Sequence, residues 1–396
     1  MGRHTVSFLQ ILLAATTLVL PSYQCQTDDD CSLNGRCSSK IKVCHCDPGW
    51  RGADCGELNV RPANRESGYN RTAEGISSWG SKIVVDPHDS RLHHLFLAEF
   101  EHGCGLDFWS PFSRIIRAES HQGAAGPYKF AAEVVSAFAH NPSVVWSPIE
   151  QEYLLYYIGC EQNLNASACT ASDLTCGPGN FINGESGISI QTSKDLRHWK
   201  PKGQVFKGSD DMQLWDADTT NPSPHPLLYP PSYSHEHKSG MLLAYRGCPY
   251  NCPGNELISL AIAPCATGPY TRLNNHEPIF PDSAEDPFVW QDKRGHFHML
   301  VHSLEAEGGF GRGPKVGRHA YARRMEGPWT FAGGNRSLAF STHADFDDGS
   351  SINFYRRERP QLLFSDDGTV RPLFLTTGVQ ENNSPMSYTL IVPLGE

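Results

Sequence analysis

Five short stretches of this 396-residue chain put polar or charged side chains directly ahead of a strand-like run, usually at a proline. They are Ser78-Trp79 (with Glu74 just upstream), His140-Asn141-Pro, Asp216 with Asp218-Thr219 and Asn221-Pro, Glu285-Asp286-Pro, and Arg357-Glu358-Arg359-Pro. Paired carboxyl groups suit general acid/base work. A carboxyl kept neutral by burial or by a like charge can protonate a leaving oxygen, while an ionised neighbour activates water or attacks. The catalytic candidates are therefore Asp218, Glu285, Asp286 and Asp216, with Glu101 added from the strand-end run Glu101-His-Gly-Cys-Gly. Candidates for holding a substrate are Trp79, His140, Asn141, Asn221, Arg246, His302, His319, Glu358 and Arg359. Charged pairs before proline are also ordinary turn chemistry, and most tryptophans are core residues, so convergence of the five stretches is the stronger signal. No cofactor is required by this chemistry. Ca²⁺ is an option, since Asp216, Asp218, Asp286 and Asn221 offer hard oxygens. The histidines His140, His225, His302 and His319 offer a softer alternative, but none forms a His-Glu-x-x-His motif.

Something must bring five distant stretches together. From about Ile76 a unit recurs five times: a polar start, a β-rich strand, a second strand dense in Leu, Phe and Tyr, a third strand and a closing turn. Second strands include Tyr153-Leu-Leu-Tyr-Tyr-Ile-Gly and His296-Phe-His-Met-Leu-Val-His. The closing turns read Gly126-Pro-Tyr, Leu196-Arg-His-Trp, Gly268-Pro-Tyr and Gly327-Pro-Trp. Such strand groups cannot bury both faces alone but can when packed radially about an axis. The expectation is an all-β protein, a five-bladed β-propeller over 76–396, with the polar starts converging on one funnel. The Gly-rich run from Val301 to His319 lacks the Gly-Lys-Ser/Thr ending of a phosphate loop and reads as a rim loop.

Composition agrees. The chain holds 36 Gly, 28 Pro, 19 Phe, 14 Tyr and 8 Trp, which suits turn-rich β structure. With 33 Lys+Arg against 43 Asp+Glu the net charge is −10, which does not steer toward nucleic acid. Arg3 and His4 precede the apolar stretch Phe8–Leu20, broken by Pro21-Ser22; residues 1–24 read as a signal peptide, too short for a membrane anchor. A secreted, extracellular protein without a membrane partner is expected. The sequons at Asn70, Asn165, Asn335 and Asn382 agree as glycosylation sites.

Six of the 13 cysteines, Cys25, Cys31, Cys37, Cys44, Cys46 and Cys55, fall within 25–56, too short a segment to bury a core without covalent staples. Cysteine arithmetic alone leaves 15 pairings open. The run Cys44-His-Cys-Asp-Pro-Gly-Trp-Arg-Gly-Ala-Asp-Cys55 resembles the C-terminal half of an EGF-like domain. That resemblance implies the pairs Cys25–Cys37, Cys31–Cys44 and Cys46–Cys55, and a module serving as a spacer or adhesion element. A linker over 57–75 follows. The other seven cysteines are odd in number, so one is free or pairs between chains, and Cys104 is the candidate.

The Asn/Asp-Pro-x-Val-Trp starts, the Tyr153-Leu-Leu-Tyr-Tyr strand and Ile188-Ser-Ile-Gln-Thr-Ser-Lys-Asp-Leu-Arg-His-Trp199 resemble the five-bladed propeller superfamily of glycoside hydrolases, which includes arabinofuranosidases, xylosidases, arabinanases and invertases. The resemblance implies a carbohydrate substrate and acids from blades one, two and three. This chain departs from that plan: blade one has Trp79-Gly80, blade two has His140-Asn141, and only blade three keeps acids, Asp216 and Asp218. Arg246, Arg357 and Arg359 suit an anionic, uronate-bearing glycan, which also admits a lyase. Trp79, Trp109, Trp146, Trp215 and Trp290 are candidates for stacking on sugar faces. A hydrolase, a lyase and a non-catalytic binding propeller are the three readings.

Overall fold

The computed structural model describes residues 24–159, 169, 187–228, 239–249, 252, 255–304, 316–333 and 338–396. The signal-peptide stretch, the sequons at Asn165 and Asn335, and Cys160 and Cys176 lie outside the described residues.

Five antiparallel sheets carry the chain. Each begins on one of the polar stretches. The innermost strands are Ser78–Val85, His140–Ser147, Asp218–Leu228, Ala284–Gln291 and Arg356–Phe364. Each touches the next, and the last touches the first, so they ring a common axis. The second strands, His93–Phe100, Glu152–Ile158, Ser239–Cys248, Phe297–Ser303 and Pro372–Gln380, are almost wholly buried. Their Leu, Tyr, Met and Val side chains face neighbouring blades on both sides, which is why they read as unbroken apolar runs rather than as alternating ones. Helical residues among those described form single turns only.

The closing turns share one device. In Gly126-Pro-Tyr128, Gly268-Pro-Tyr270 and Gly327-Pro-Trp329 the glycine has φ near +90°, where a Cβ would press on the backbone nitrogen two residues on. The aromatic then donates to a carbonyl four residues back: Tyr128 Oη to Ala124 O at 2.9 Å, Tyr270 Oη to Ala266 O at 3.2 Å, and Trp329 Nε1 to Met325 O at 2.9 Å. Blade two uses Trp199 Nε1 on Leu196 O. The recurring motif is thus a corner that turns the chain and satisfies a carbonyl that the ladder leaves free.

Blade five has three strands of its own, ending with Ser387–Pro393. Its outer edge is covered by residues from the stretch read as a linker. Tyr69 exchanges both backbone hydrogen bonds with Thr389, Val60 bridges Leu394, and Arg61 N donates to Pro393 O. The segment leading into the propeller and the outer strand of blade five are therefore stitched together, which also removes an exposed sheet edge.

The N-terminal module has the expected disulfides, Cys25–Cys37, Cys31–Cys44 and Cys46–Cys55. It is not a free spacer. Trp50 stacks on Trp290 of blade four (centroids 6.3 Å) and contacts His319 (4.7 Å), within a shared core that includes Leu58, Phe288 and Phe340. Polar ties surround it: Tyr321 Oη to Asp29 O, Arg323 with Asp29 at 2.7 Å, and Arg294 with Asp47 at 2.5 Å. Cys104, expected to be unpaired, is bonded to Cys169; Cys248 pairs with Cys252, and among the described residues the free thiol is Cys265. Sequence spacing could not show this, because the Cys104 partner lies 65 residues away.

The buried junction makes a testable demand. Trp50→Ala, by removing a buried indole at the centre of the junction, should cost about 3–5 kcal/mol of unfolding free energy in urea titration. A loss below about 1 kcal/mol would mean that module and propeller merely touch.

Candidate active site

Each inner strand breaks its ladder at the same place. Register shifts occur at Trp79/Ser81, around Ser143 and His140, and at Thr220/Ser223, Glu285/Phe288 and Glu358/Gln361. At each bulge one residue is left-handed: Gly80 (φ 57°), Asn141 (54°), Asn221 (54°), Asp286 (58°) and Arg359 (59°). Gly, Asn and Asp tolerate this conformation best; Arg359 adopts it at a steric cost of about 1–2 kcal/mol. Proline follows in four of the five, at 142, 222, 287 and 360, where a lapsed ladder needs no N–H.

These five residues form a ring around the axis. Asn141 Nδ2 donates to Asn221 Oδ1 at 2.8 Å, and Asn221 Nδ2 to Asp286 Oδ1 at 2.5 Å. The Arg359 guanidinium pairs with Asp286, and its backbone N–H donates to Asp286 Oδ2 at 3.2 Å. Gly80 leaves room for the Arg359 stem, 3.3 Å from where a Cβ would stand. The ring encloses a cavity of about 30 Å³, room for a single water or ion. Asn141 Oδ1 is buried beside it with no partner among the described residues.

One residue before the ring, the side chains gather at the mouth. Glu285, Asp286, His302 and Glu358 are all buried, with one polar atom from each lying within 4.8 Å of the others. His302 Nδ1 lies 2.9 Å from Glu285 Oε1. Burial alone would neutralise His302, but Glu358, Glu285 and Asp286 overcome it and push its pKa up to about 9. Burial likewise opposes ionisation of Glu285, yet the His302 bond with Arg359 and Arg246 holds it well below the usual range. Asp286 moves the other way, raised by burial and then by Glu285 despite Arg359. Beside them Arg246 pairs with Glu256 at 2.9 Å and lies 3.6 Å from Asp218. Glu256 is raised by burial, and further by its charge repulsion and hydrogen bond with Glu285. A carboxyl favouring its neutral form thus sits against one held ionised.

Of the expected site residues, Glu285, Asp286, His302, Glu358, Arg359, Asn141, Asn221, Arg246 and Asp218 converge here. His140 joins them, with Nδ1 3.0 Å from Ser113 Oγ and its ring 4.9 Å from that of Trp109; burial, then Arg359, keeps it neutral. The others are elsewhere. Asp216 is buried against Arg272 (2.6 Å) and His276 (2.9 Å), locking the outer strand of blade three. Trp79 packs in a core with Phe100, Leu106 and Phe112, its ring against Gly378, and offers no face to a sugar. Trp290 is covered by Trp50. His319 lies under the N-terminal module, 3.0 Å from His298 and in reach of Asn34. Arg357 turns away from its neighbours Glu358 and Arg359 and donates to the carbonyls of Ser341 and His343. Glu101 stands at the rim, 3.7 Å from Arg114.

The calcium set expected from sequence does not assemble as a whole: Asp216 is held by Arg272 and His276, Asp218 faces Arg246, and Asn221 turns its amide nitrogen to Asp286. The oxygens able to hold a hard cation are those of Glu285, Asp286 and Glu358. The residue that sequence reasoning missed is Glu256. It immediately precedes the third strand of blade three, Leu257–Ala263, rather than opening an inner strand, and its carbonyl receives Ala284 N–H from blade four, which brings it to the mouth.

Residues 27–57 match the family model described as a teneurin-like EGF domain. No curated protein matches the chain in sequence. Among solved structures, an α-L-arabinofuranosidase from Podospora anserina superposes with TM-score 0.55 at 12% identity, covering 84% of this chain and 96% of that one. The catalytic domain of a family 62 α-L-arabinofuranosidase from Coprinopsis cinerea gives 0.56 at 11% identity, with coverages of 85% and 97%. A family 117 glycoside hydrolase from the marine bacterium Zobellia galactanivorans gives 0.53 at 16%, with 86% and 90%. The shared property is the fold. The propeller is built as theirs are.

A proton held on His302 in the folded state and released near pH 6.5 in the unfolded chain stabilises fully below that pH and is lost as pH rises through about 9. Between pH 7.5 and 9.5 the native protein should therefore lose up to about 1.4 kcal/mol per pH unit relative to His302→Gln in urea titrations. Parallel slopes for the two proteins would show that His302 is not an imidazolium.

Proposed function

We propose that this chain is a secreted carbohydrate-active enzyme, a glycoside hydrolase acting on a plant, algal or fungal poly- or oligosaccharide. One observation carries the reading: beside the axial ring the buried carboxyl groups of Glu285, Asp286 and Glu358 gather with His302, with Glu256 against Glu285, and burial favours the neutral form of Glu256 while the His302 bond favours the ionised form of Glu285. Environments that drive two acids apart assign the acid and the base. The neutral Glu256 carboxyl protonates the leaving oxygen. The ionised Glu285, oriented by His302, activates water or attacks the sugar. Arg246 holds Glu256 in place while burial keeps its proton on. The resemblance to glycoside hydrolases of this architecture supports the substrate class. The acids come from blades three, four and five, in place of the blade-one and blade-two acids those enzymes use.

Glu285, Asp286 and Glu358 crowd within 4.8 Å of one another. A cation seated among these oxygens would polarise a bound sugar hydroxyl or water, so assays belong with and without chelator.

The test is a product screen of the purified protein on a broad polysaccharide panel, read by mass. Products heavier by one water are expected, with Glu256→Gln and Glu285→Gln each slowing release by about 10²–10⁴-fold while melting normally. Saturable glycan binding without any product would replace this reading with that of a binding propeller. Products with a new absorbance near 235 nm, without added water, would replace it with a lyase.

A further inference from the structure

On the far side of the blade-five inner strand from Glu358, a second cavity opens between the N-terminal module and the propeller. Its volume is about 480 Å³. Arg51, Glu57 and Arg61 line it from the module side, and His343, Asp345 and Arg357 from the propeller side. The charges there do not balance. Glu57 is engaged by Arg51 at 3.2 Å, and Asp345 by His343 at 2.8 Å. Arg61 and Arg357 have no carboxylate within ion-pair distance among the described residues.

Arg357 is the telling member. Its side chain is 1% exposed, and its Nη1 donates to the carbonyls of Ser341 (3.1 Å) and His343 (2.8 Å). Its Nη2 is buried without a partner. Burial pulls its pKa down to about 10, still cationic at neutral pH. A buried guanidinium with neutral partners only is costly, and such a charge is normally retained where an anion completes it. The undescribed residues next to Leu338, 334–337, contain no acid that could do so. His343, whose bonds to Asn353 and Asp345 favour its cationic form, adds to the positive field at the mouth.

We propose that this junction is an oxyanion-binding site, separate from the axial mouth, which takes a sulfate or carboxylate group, such as one carried by an acidic glycan. Arg61 and His343 meet the anion at the mouth, and Arg357 supplies uncompensated charge from the floor. The assignment stands without the catalytic reading, since none of these residues belongs to the axial cluster.

The experiment is isothermal titration of the full chain at constant ionic strength with glucuronate, glucose 6-sulfate, inorganic sulfate and glucose. Saturable binding of the anionic probes but not glucose is expected, weakened roughly tenfold or more in Arg61→Ala and in Arg357→Gln. Arg61 is exposed, so its variant reports even where Arg357→Gln folds poorly. Glu285→Gln should bind as the parent does. Inorganic sulfate binding as tightly as the sulfated sugar would identify a free oxyanion as ligand; tighter binding of the sugar forms would identify a glycan. Absence of saturable binding by any anion overturns the site. So does binding that survives in both arginine variants or disappears in Glu285→Gln.

Discussion

The site depends on a backbone constraint more than on any one side chain. In a regular strand, consecutive residues point to opposite faces, so two adjacent acids could not serve one cluster. The left-handed residue at each inner-strand bulge breaks that rule. It lets Glu285 and Asp286, neighbours in sequence, both contribute to one buried group of acids. The same bulge, repeated in five blades, turns Asn141, Asn221, Asp286 and Arg359 toward each other and lets them satisfy one another's polar atoms. Ring and mouth are thus consequences of a single local distortion used five times.

That arrangement creates an electrostatic problem which the residues also solve. Five carboxyl groups, Asp218, Glu256, Glu285, Asp286 and Glu358, face three cations, Arg246, Arg359 and His302. Full ionisation of every acid would leave surplus negative charge in a buried space. Burial and mutual repulsion push Glu256 and Asp286 toward their neutral forms, and the acids around His302 favour its charged form, which reduces that surplus. Proton-donating capacity at neutral pH is therefore a by-product of charge compensation in a crowded, buried cluster, and each member's protonation depends on all the others.

Much of this was legible in the sequence, and the limits were physical. Asn141-Pro, Asn221-Pro, Asp286-Pro and Arg359-Pro marked the inner strands because the bulge demands these residue types; Gly-Pro-aromatic marked the corners because only glycine fits there. What the pattern could not give was direction. Arg357 and Glu358 are adjacent, yet one faces the mouth and the other the module. Trp79 and His319 have the chemistry of sugar-binding residues, but a core and a docked module cover them. Asp216 looked like a site acid and is a clamp on the outer strand of its blade. Glu256 carried no motif, since its place depends on a contact between blades rather than on the start of a strand.

The seam along blade five sets the order in which this molecule can come into being. Residues 60–69 bond to strand Ser387–Pro393 and the residue after it, more than 300 positions later in the chain. During synthesis the early segment must wait, its partner strand unmade, until the last blade has emerged. Sequence-distant pairing of this kind is slow to form. Until then the module has only part of its docking surface, the ring lacks Arg359, and Asp286 lacks its counter-charge. The mouth of the propeller is therefore assembled last, by the final stretch of chain, and a product cut short before it would lack a closed ring and a balanced cluster.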